Sequence, residues 1–223
     1  VAAVAPHSEY VSVDTADKKL IPSIVKLPDE VDLKEGTFWP LSTSAVLWID
    51  EITKLMPIKD QVITIIGQGL VGSLIMQVAL SKNPKKIIAV DTLDFRCKLA
   101  TKLGAKFVIN SSKNSLYDYI AKITESKKSN VVIEAVGGPS GKFAFEQSLE
   151  ITSQVGIIQV IGLYENEPLQ FDSGQVIDGI LVDAAGATSA FTSTTASETK
   201  LVTEAAVKTH VSAQASAFAI ALG

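Results

Sequence analysis

The chain has 223 residues, 47% hydrophobic and 20% charged, with a net charge of -4 and an isoelectric point near 5.3. That composition fits a soluble globular protein with room for one large domain, or a domain plus a smaller piece. It excludes a basic nucleic-acid footprint and a bilayer-spanning run, while one cysteine and two histidines exclude an internal disulfide and a cysteine-rich zinc site.

The N-terminal residues Val1 to Pro6 carry no basic region, so no signal peptide is expected, and the sequence does not begin with Met. A reducing, cytoplasmic setting is expected from the cysteine usage. Residues 1–58 predict two or three short strands, the clearest being Tyr10-Val11-Ser12-Val13, and a helix over 42–55. From Gln61 the pattern becomes regular. Val62-Ile63-Thr64-Ile65-Ile66 is a β-branched run ended by glycine and predicts a buried strand. Helices are predicted over 71–81, 94–103, 115–124 and 140–149. Between them lie strands at 86–90, 107–109, 131–133 and 155–161. Lys82 to Lys86, the longest basic cluster, reads as a solvated loop. Residues 163–223 are rich in Ala, Ser and Thr, with helices predicted at 202–208 and 216–222.

The strands are continuous apolar runs, so both faces of their sheet must be covered. The expected fold is therefore α/β, a doubly wound parallel sheet of about six strands with helices on each side. The first strand runs into Gly67-Gln68-Gly69-Leu70-Val71-Gly72, a G-x-G-x-x-G sequence that opens a helix. Asp91 follows Gly72 by 19 positions, at the end of the next strand, close to the spacing of about 20 of the dinucleotide fingerprint. Gly67 permits the tight turn, Gly69 lets a pyrophosphate approach the backbone, and Gly72 lets the helix pack on the strand. The free N–H groups where Leu70 and Val71 open the helix, and its positive dipole end, favour phosphate. Asp91 suits the adenosine ribose hydroxyls and repels a 2′-phosphate, which favours NAD over NADP.

No Tyr has a Lys four residues on, so the short-chain dehydrogenase relay is absent. Ile66 stands where a methyltransferase usually has an acidic residue before its glycines. Cys97 reads as a packed small side chain and Glu134 as a structural strand end. His7, His210, Tyr164 and the tract Thr192 to Ser197 carry no assigned role.

With these residues the chain resembles the medium-chain dehydrogenase/reductase superfamily, the alcohol, polyol and threonine dehydrogenase type. The likeness runs through His7-Ser8-Glu9-Tyr10-Val11, Leu27-Pro28-Asp29, Pro40-Leu41-Ser42-Thr43-Ser44-Ala45 and the glycine motif. It continues in Ala89-Val90-Asp91, Leu103-Gly104-Ala105, Val108-Ile109-Asn110, Val132 to Gly137 and Ile161-Gly162-Leu163-Tyr164. The resemblance implies an NAD-dependent oxidoreductase acting on an alcohol or its ketone or aldehyde, and a homodimer. The alternative is a non-catalytic dinucleotide-binding module or degenerate homologue. The resemblance places Ser42 and Thr43 facing the nicotinamide, Arg96 near the adenosine, and Val136 and Gly137 on the adenine side. Ile161, Gly162 and Leu163 fall beside the nicotinamide amide. It implies a dinucleotide domain over 46–185, a remnant of a GroES-like substrate domain over 1–45, and a C-terminal segment, 186–223, packing on that remnant. The family's zinc ligands have no counterpart here, Trp39 stands where many zinc members have Glu, and no catalytic residue is assigned.

Overall fold

A computed structural model describes residues 2–3, 9–12, 24–162 and 181–184. Its contacts divide the chain into two compact units, Val1–Pro40 with Lys200–Gly223, and Leu41–Thr199. In the first unit, β1 (Ala2–Ala3) pairs antiparallel with β2 (Ile24–Val25). A short helix α1 (Leu33–Gly36) follows, capped by Asp32, whose carboxylate accepts from Lys34 N at 2.7 Å. The strand predicted at Tyr10 to Val13 does not form over Tyr10, Val11 and Ser12. Strand propensity expresses itself where one face is buried, and here Tyr10 and Val11 are both exposed.

The second unit holds the regular alternation. Helix α2 (Trp39–Leu55) starts three residues before the predicted 42–55, because Pro40 fits a first turn that needs no N–H. Then come β3 (Val62–Ile66), α3 (Leu70–Ser81), β4 (Lys86–Asp91), α4 (Asp94–Lys102), β5 (Phe107–Asn110) and α5 (Leu116–Thr124). The series continues with β6 (Ser129–Glu134), a 3-10 turn at Gly138–Ser140, α6 (Gly141–Ile151), β7 (Thr152–Val160) and β8 (Leu181–Ala184). The sheet has six strands in the order β5-β4-β3-β6-β7-β8, every neighbouring pair parallel. Strand β7 starts earlier than the predicted 155. Its pairing jumps from Ser129↔Thr152 to Val131↔Ile157, and the intervening residues loop out at Val155, which is exposed and has φ 60°.

Period-two alternation sends side chains to both faces of the sheet. Ile63, Ile65, Ala89, Val131 and Ile133 pack with Ala45, Ile49 and Ile52 of α2, Ile75 and Met76 of α3, and Ala100 of α4. On the other face Val62, Ile66, Ile88, Val90, Val132 and Ile158 pack with Leu116 and Ile120 of α5 and Phe145 and Leu149 of α6. Helices on both faces of a parallel sheet make it doubly wound. Among the described residues no helix is long and apolar enough to cross a membrane. The helices predicted at 202–208 and 216–222 lie outside the described residues.

Candidate functional site

The strand order reverses between β3 and β6, since β3 leads outward to β4 while β6 leads outward to β7. Such a switch point leaves a crevice at the carboxyl ends of the strands, where the two connections part. The glycine motif forms its floor. Gly67 N donates to Val90 O at 2.8 Å and Ala135 N to Ile66 O at 2.9 Å, so the exits of β3, β4 and β6 are tied together.

The three glycines of the motif differ in what requires them. Gly67 has φ +92°, and a Cβ there would come within 2.8 Å of Val136 Cγ2 and 2.9 Å of Ala135 O. A Cβ on Gly72 would run into the carbonyl oxygen of Gly67. Both positions are closed to any side chain by the protein itself. Gly69 is not: its φ is -69°, and an added Cβ would meet only the Arg96 guanidinium, at an ordinary 3.9 Å. Gly69 caps α3 with no side-chain bond. The N–H groups of Leu70, Val71 and Gly72 have no intrahelical acceptor in that first turn.

Asp91 ends β4, its side chain 4% exposed. Oδ2 accepts from Gln68 N at 2.8 Å and Oδ1 from Leu93 N at 2.9 Å. The carboxylate therefore braces the glycine loop against the β4 exit, and a lone pair remains on each oxygen. Arg96 on α4 places Nη1 3.6 Å from Asp91 Oδ2. Its guanidinium also lies over the Phe95 ring, 5.7 Å from the centroid. Cys97 sits beneath, its Sγ–H directed at Asp91 O and Ile109 O. Burial, and after it the Asp91 charge, raises the thiol above its usual range, so it is an inert packed group.

Across the crevice, Glu134 ends β6 fully buried. Its Oε1 accepts from Val136 N at 2.5 Å, and its carbonyl accepts from Ile161 N at 2.8 Å and Gly162 N at 3.2 Å. A Cβ on Gly162 would strike Val136 O and come within 2.7 Å of Glu134 Oε2. Gly162 thus closes the β6 and β7 exits onto each other. Ile161 is buried beside it, Val136 borders Gly67, and Gly137 is exposed. Ser42 and Thr43 stand half-buried in the first turns of α2. Leu163, Tyr164, His7, His210 and the tract Thr192 to Ser197 lie outside the described residues.

The structure therefore brings Gly67, Gly69, Gly72, Asp91, Arg96 and Val136 together. Sequence reasoning missed Gln68, whose backbone N–H binds Asp91 and whose side chain is buried in the loop. Gln68 Nε2 donates to Ile65 O at 3.1 Å, while Oε1 has no partner among the described residues. The structural role read for Glu134 takes the form of a clasp whose partners the sequence did not name. A polar residue inside the glycine motif and an acid at the end of an apolar strand are the signals available for these two.

A zinc-binding dehydrogenase family model matches residues 71–184. Quinone oxidoreductase-like protein 2 of Mus musculus is 33% identical over 138 residues, which is 61% of this chain and 38% of that protein. L-threonine 3-dehydrogenase of Caldanaerobacter subterraneus subsp. tengcongensis is 31% identical over 121 residues, 54% of this chain and 34% of the enzyme. The crystal structure of benzyl alcohol dehydrogenase from Acinetobacter calcoaceticus matches with a TM-score of 0.64 at 26% identity, covering 73% of this chain and 44% of that one. The chain thus spans less than half the length of these relatives. A zinc is implied by the family model's description, but among the described residues no three His, Cys, Asp or Glu side chains are placed to hold a metal ion. The described residues do not fit a zinc. A family model that begins inside the glycine motif and spans just over half of the 223 residues settles the assignment. The chain belongs to the zinc-binding dehydrogenase family, within the medium-chain dehydrogenase/reductase superfamily.

Proposed function

We propose that the chain binds NAD(H) across the switch-point crevice and serves an oxidoreductase acting on an alcohol or its ketone or aldehyde. The observation that carries the cofactor half is Gly69. Gly67 and Gly72 are glycines because the protein leaves no room for a side chain, whereas Gly69 has room and an unstrained backbone. The reason for its missing Cβ lies in what approaches from outside, and beside an uncapped helix N-terminus that is an anion held by backbone N–H groups.

In this reading Leu70, Val71 and Gly72 donate to the pyrophosphate. Asp91, already oriented by Gln68 N and Leu93 N, accepts from the adenosine ribose hydroxyls with its remaining lone pairs. Its charge, only partly offset by Arg96, opposes a 2′-phosphate. Arg96 and Phe95 flank the adenosine, with Val136 and Gly137 opposite. Ser42 and Thr43, and Ile161, Gly162 and Leu163, border the nicotinamide. The bound nicotinamide supplies the hydride chemistry, and the chain positions it and excludes water. The alcohol half is supported by the likeness to an L-threonine 3-dehydrogenase and a benzyl alcohol dehydrogenase. A homodimer and a cytoplasmic setting are parts of the same proposal.

The test is a fluorescence titration with NADH and NADPH on the wild type, Gly69→Ala and Asp91→Asn. The wild type is expected to bind NADH at least about tenfold more tightly than NADPH, a margin of about 1.4 kcal/mol. Asp91→Asn narrows that margin. Gly69→Ala melts like the wild type to within about 1 kcal/mol, the scale of a cap substitution, and loses NADH binding. Unchanged NADH binding by Gly69→Ala, or no binding of either nucleotide to the folded wild type, overturns the reading.

A further inference from the structure

At the opposite edge of the sheet, β3, β4 and β6 start side by side. The segments leading into them, residues 60–62, 85–86 and 124–130, line a cleft of about 290 Å³. That volume holds about ten waters, more than one orthophosphate fills. Lys85, Lys86, Lys127 and Lys128 line it, with the carboxylates of Asp60 and Glu125. Lys86 is committed elsewhere, since its ammonium donates to Ile123 O at 2.6 Å and lies over the Phe107 ring. Among the described residues the other three ammoniums make no ion pair, although Lys82 pairs with Asp50 and Lys113 with Asp94. Asp60 and Glu125 therefore do not neutralise them by contact. Three unpaired positive charges meet on one cleft of a chain whose net charge is -4.

The walls are pinned from within. Asn130 Oδ1 accepts from Val62 N at 3.0 Å, Gln61 O from Lys85 N at 2.9 Å, and Thr124 Oγ1 from Lys128 N at 3.0 Å. Asn130 is left with an amide NH₂ that has no partner among the described residues. The turn between α5 and β6 holds Glu125, Ser126 and Lys128 at φ 56°, 63° and 60°, none of them glycine. Left-handed backbone in side-chain-bearing residues is strained, and such strain gathers where a geometry is put to use. Here it presents Lys127 and Lys128 to the cleft.

Compact, rotatable ammonium charges beside an amide donor are what a phosphate group recruits. We propose that this cleft binds a small anion of the diphosphate class. It does so independently of the dinucleotide crevice, which lies at the far ends of the same strands, roughly 15 Å away for a five-residue strand.

The test is isothermal titration of the full chain with inorganic diphosphate at physiological ionic strength. Saturable one-site binding is expected. The Lys85→Gln/Lys127→Gln/Lys128→Gln variant, checked by its melting curve, loses on the order of a hundredfold in affinity. Lys98→Gln/Lys102→Gln/Lys106→Gln, which removes the same charge elsewhere, changes it less than about threefold. Absence of saturable binding, or equal losses in the two variants, overturns the proposal. A parallel titration with uridine diphosphate distinguishes sources. Lysine-dependent binding of both ligands assigns a nucleotide tail, and binding of the inorganic ion alone assigns the free anion.

Discussion

At the carboxyl edge of the sheet, Gly67, Gly72 and Gly162 let backbone lie against backbone, and Asp91 and Glu134 are buried by the amides they accept from. At the amino edge the same three central strands begin among long side chains, with Asp60, Glu125, Ser126 and Lys128 in left-handed conformations that glycine would adopt freely. One edge has glycine where the protein needs it, and the other lacks glycine where the backbone favours it. A close-packed backbone edge tolerates no added atom. A side-chain edge tolerates exchange of its residues, and changes in what it attracts.

The largest effect that sharpens this contrast is expected at Gly72. Gly72→Val places a branched side chain against Gly67 O, and relief requires α3 to move off β3. Urea denaturation should show a loss of about 3 kcal/mol, the upper range for overpacking against atoms that cannot retreat. A loss under about 1 kcal/mol would mean that the β3–α3 contact is looser than described. Next is Glu134→Ala, which leaves Val136 N without its acceptor in a half-buried setting. A cost of about 1 kcal/mol, the low end for an unsatisfied donor, is expected, together with weaker NADH binding, because the β6 exit borders the crevice. The smallest effect lies at the amino edge and has the opposite sign. Glu125 terminates α5 in the left-handed conformation. Glu125→Gly removes the Cβ penalty at the cost of a freer unfolded chain, so a net gain of about 0.5 kcal/mol is expected. Destabilisation by this change would contradict the contrast between the edges.

What the sequence could reveal follows the same division. The glycine motif is contiguous, follows a β-branched run and precedes Asp91 at a known spacing, so its six residues announce themselves locally. The alternation of apolar strands and helices did the same for the sheet, since the central strands β3, β4 and β6 bury both faces. The lysine cleft draws on residues 60–62, 85–86 and 124–130. Lys82 to Lys86 reads in sequence as a solvated loop, residues 60–62 carry no basic side chain, and only the parallel sheet brings the three segments together. Tyr10 to Val13 shows the converse: strand propensity without a buried face predicted a strand that the described residues do not form. The place of Asp91 was half legible. Its spacing pointed to the ribose, while its bonds to Gln68 N and Leu93 N depend on how two strand exits meet.

The most direct measurement is hydrogen exchange of the intact chain, read by mass spectrometry, with and without saturating NADH. With the dinucleotide bound at the carboxyl edge, as proposed, peptides spanning 66–74 and 89–97 should gain protection, while those spanning 58–62 and 124–130 should exchange at unchanged rates. Protection of the lysine edge by NADH, or no protection of the Gly67 to Gly72 loop, would contradict it.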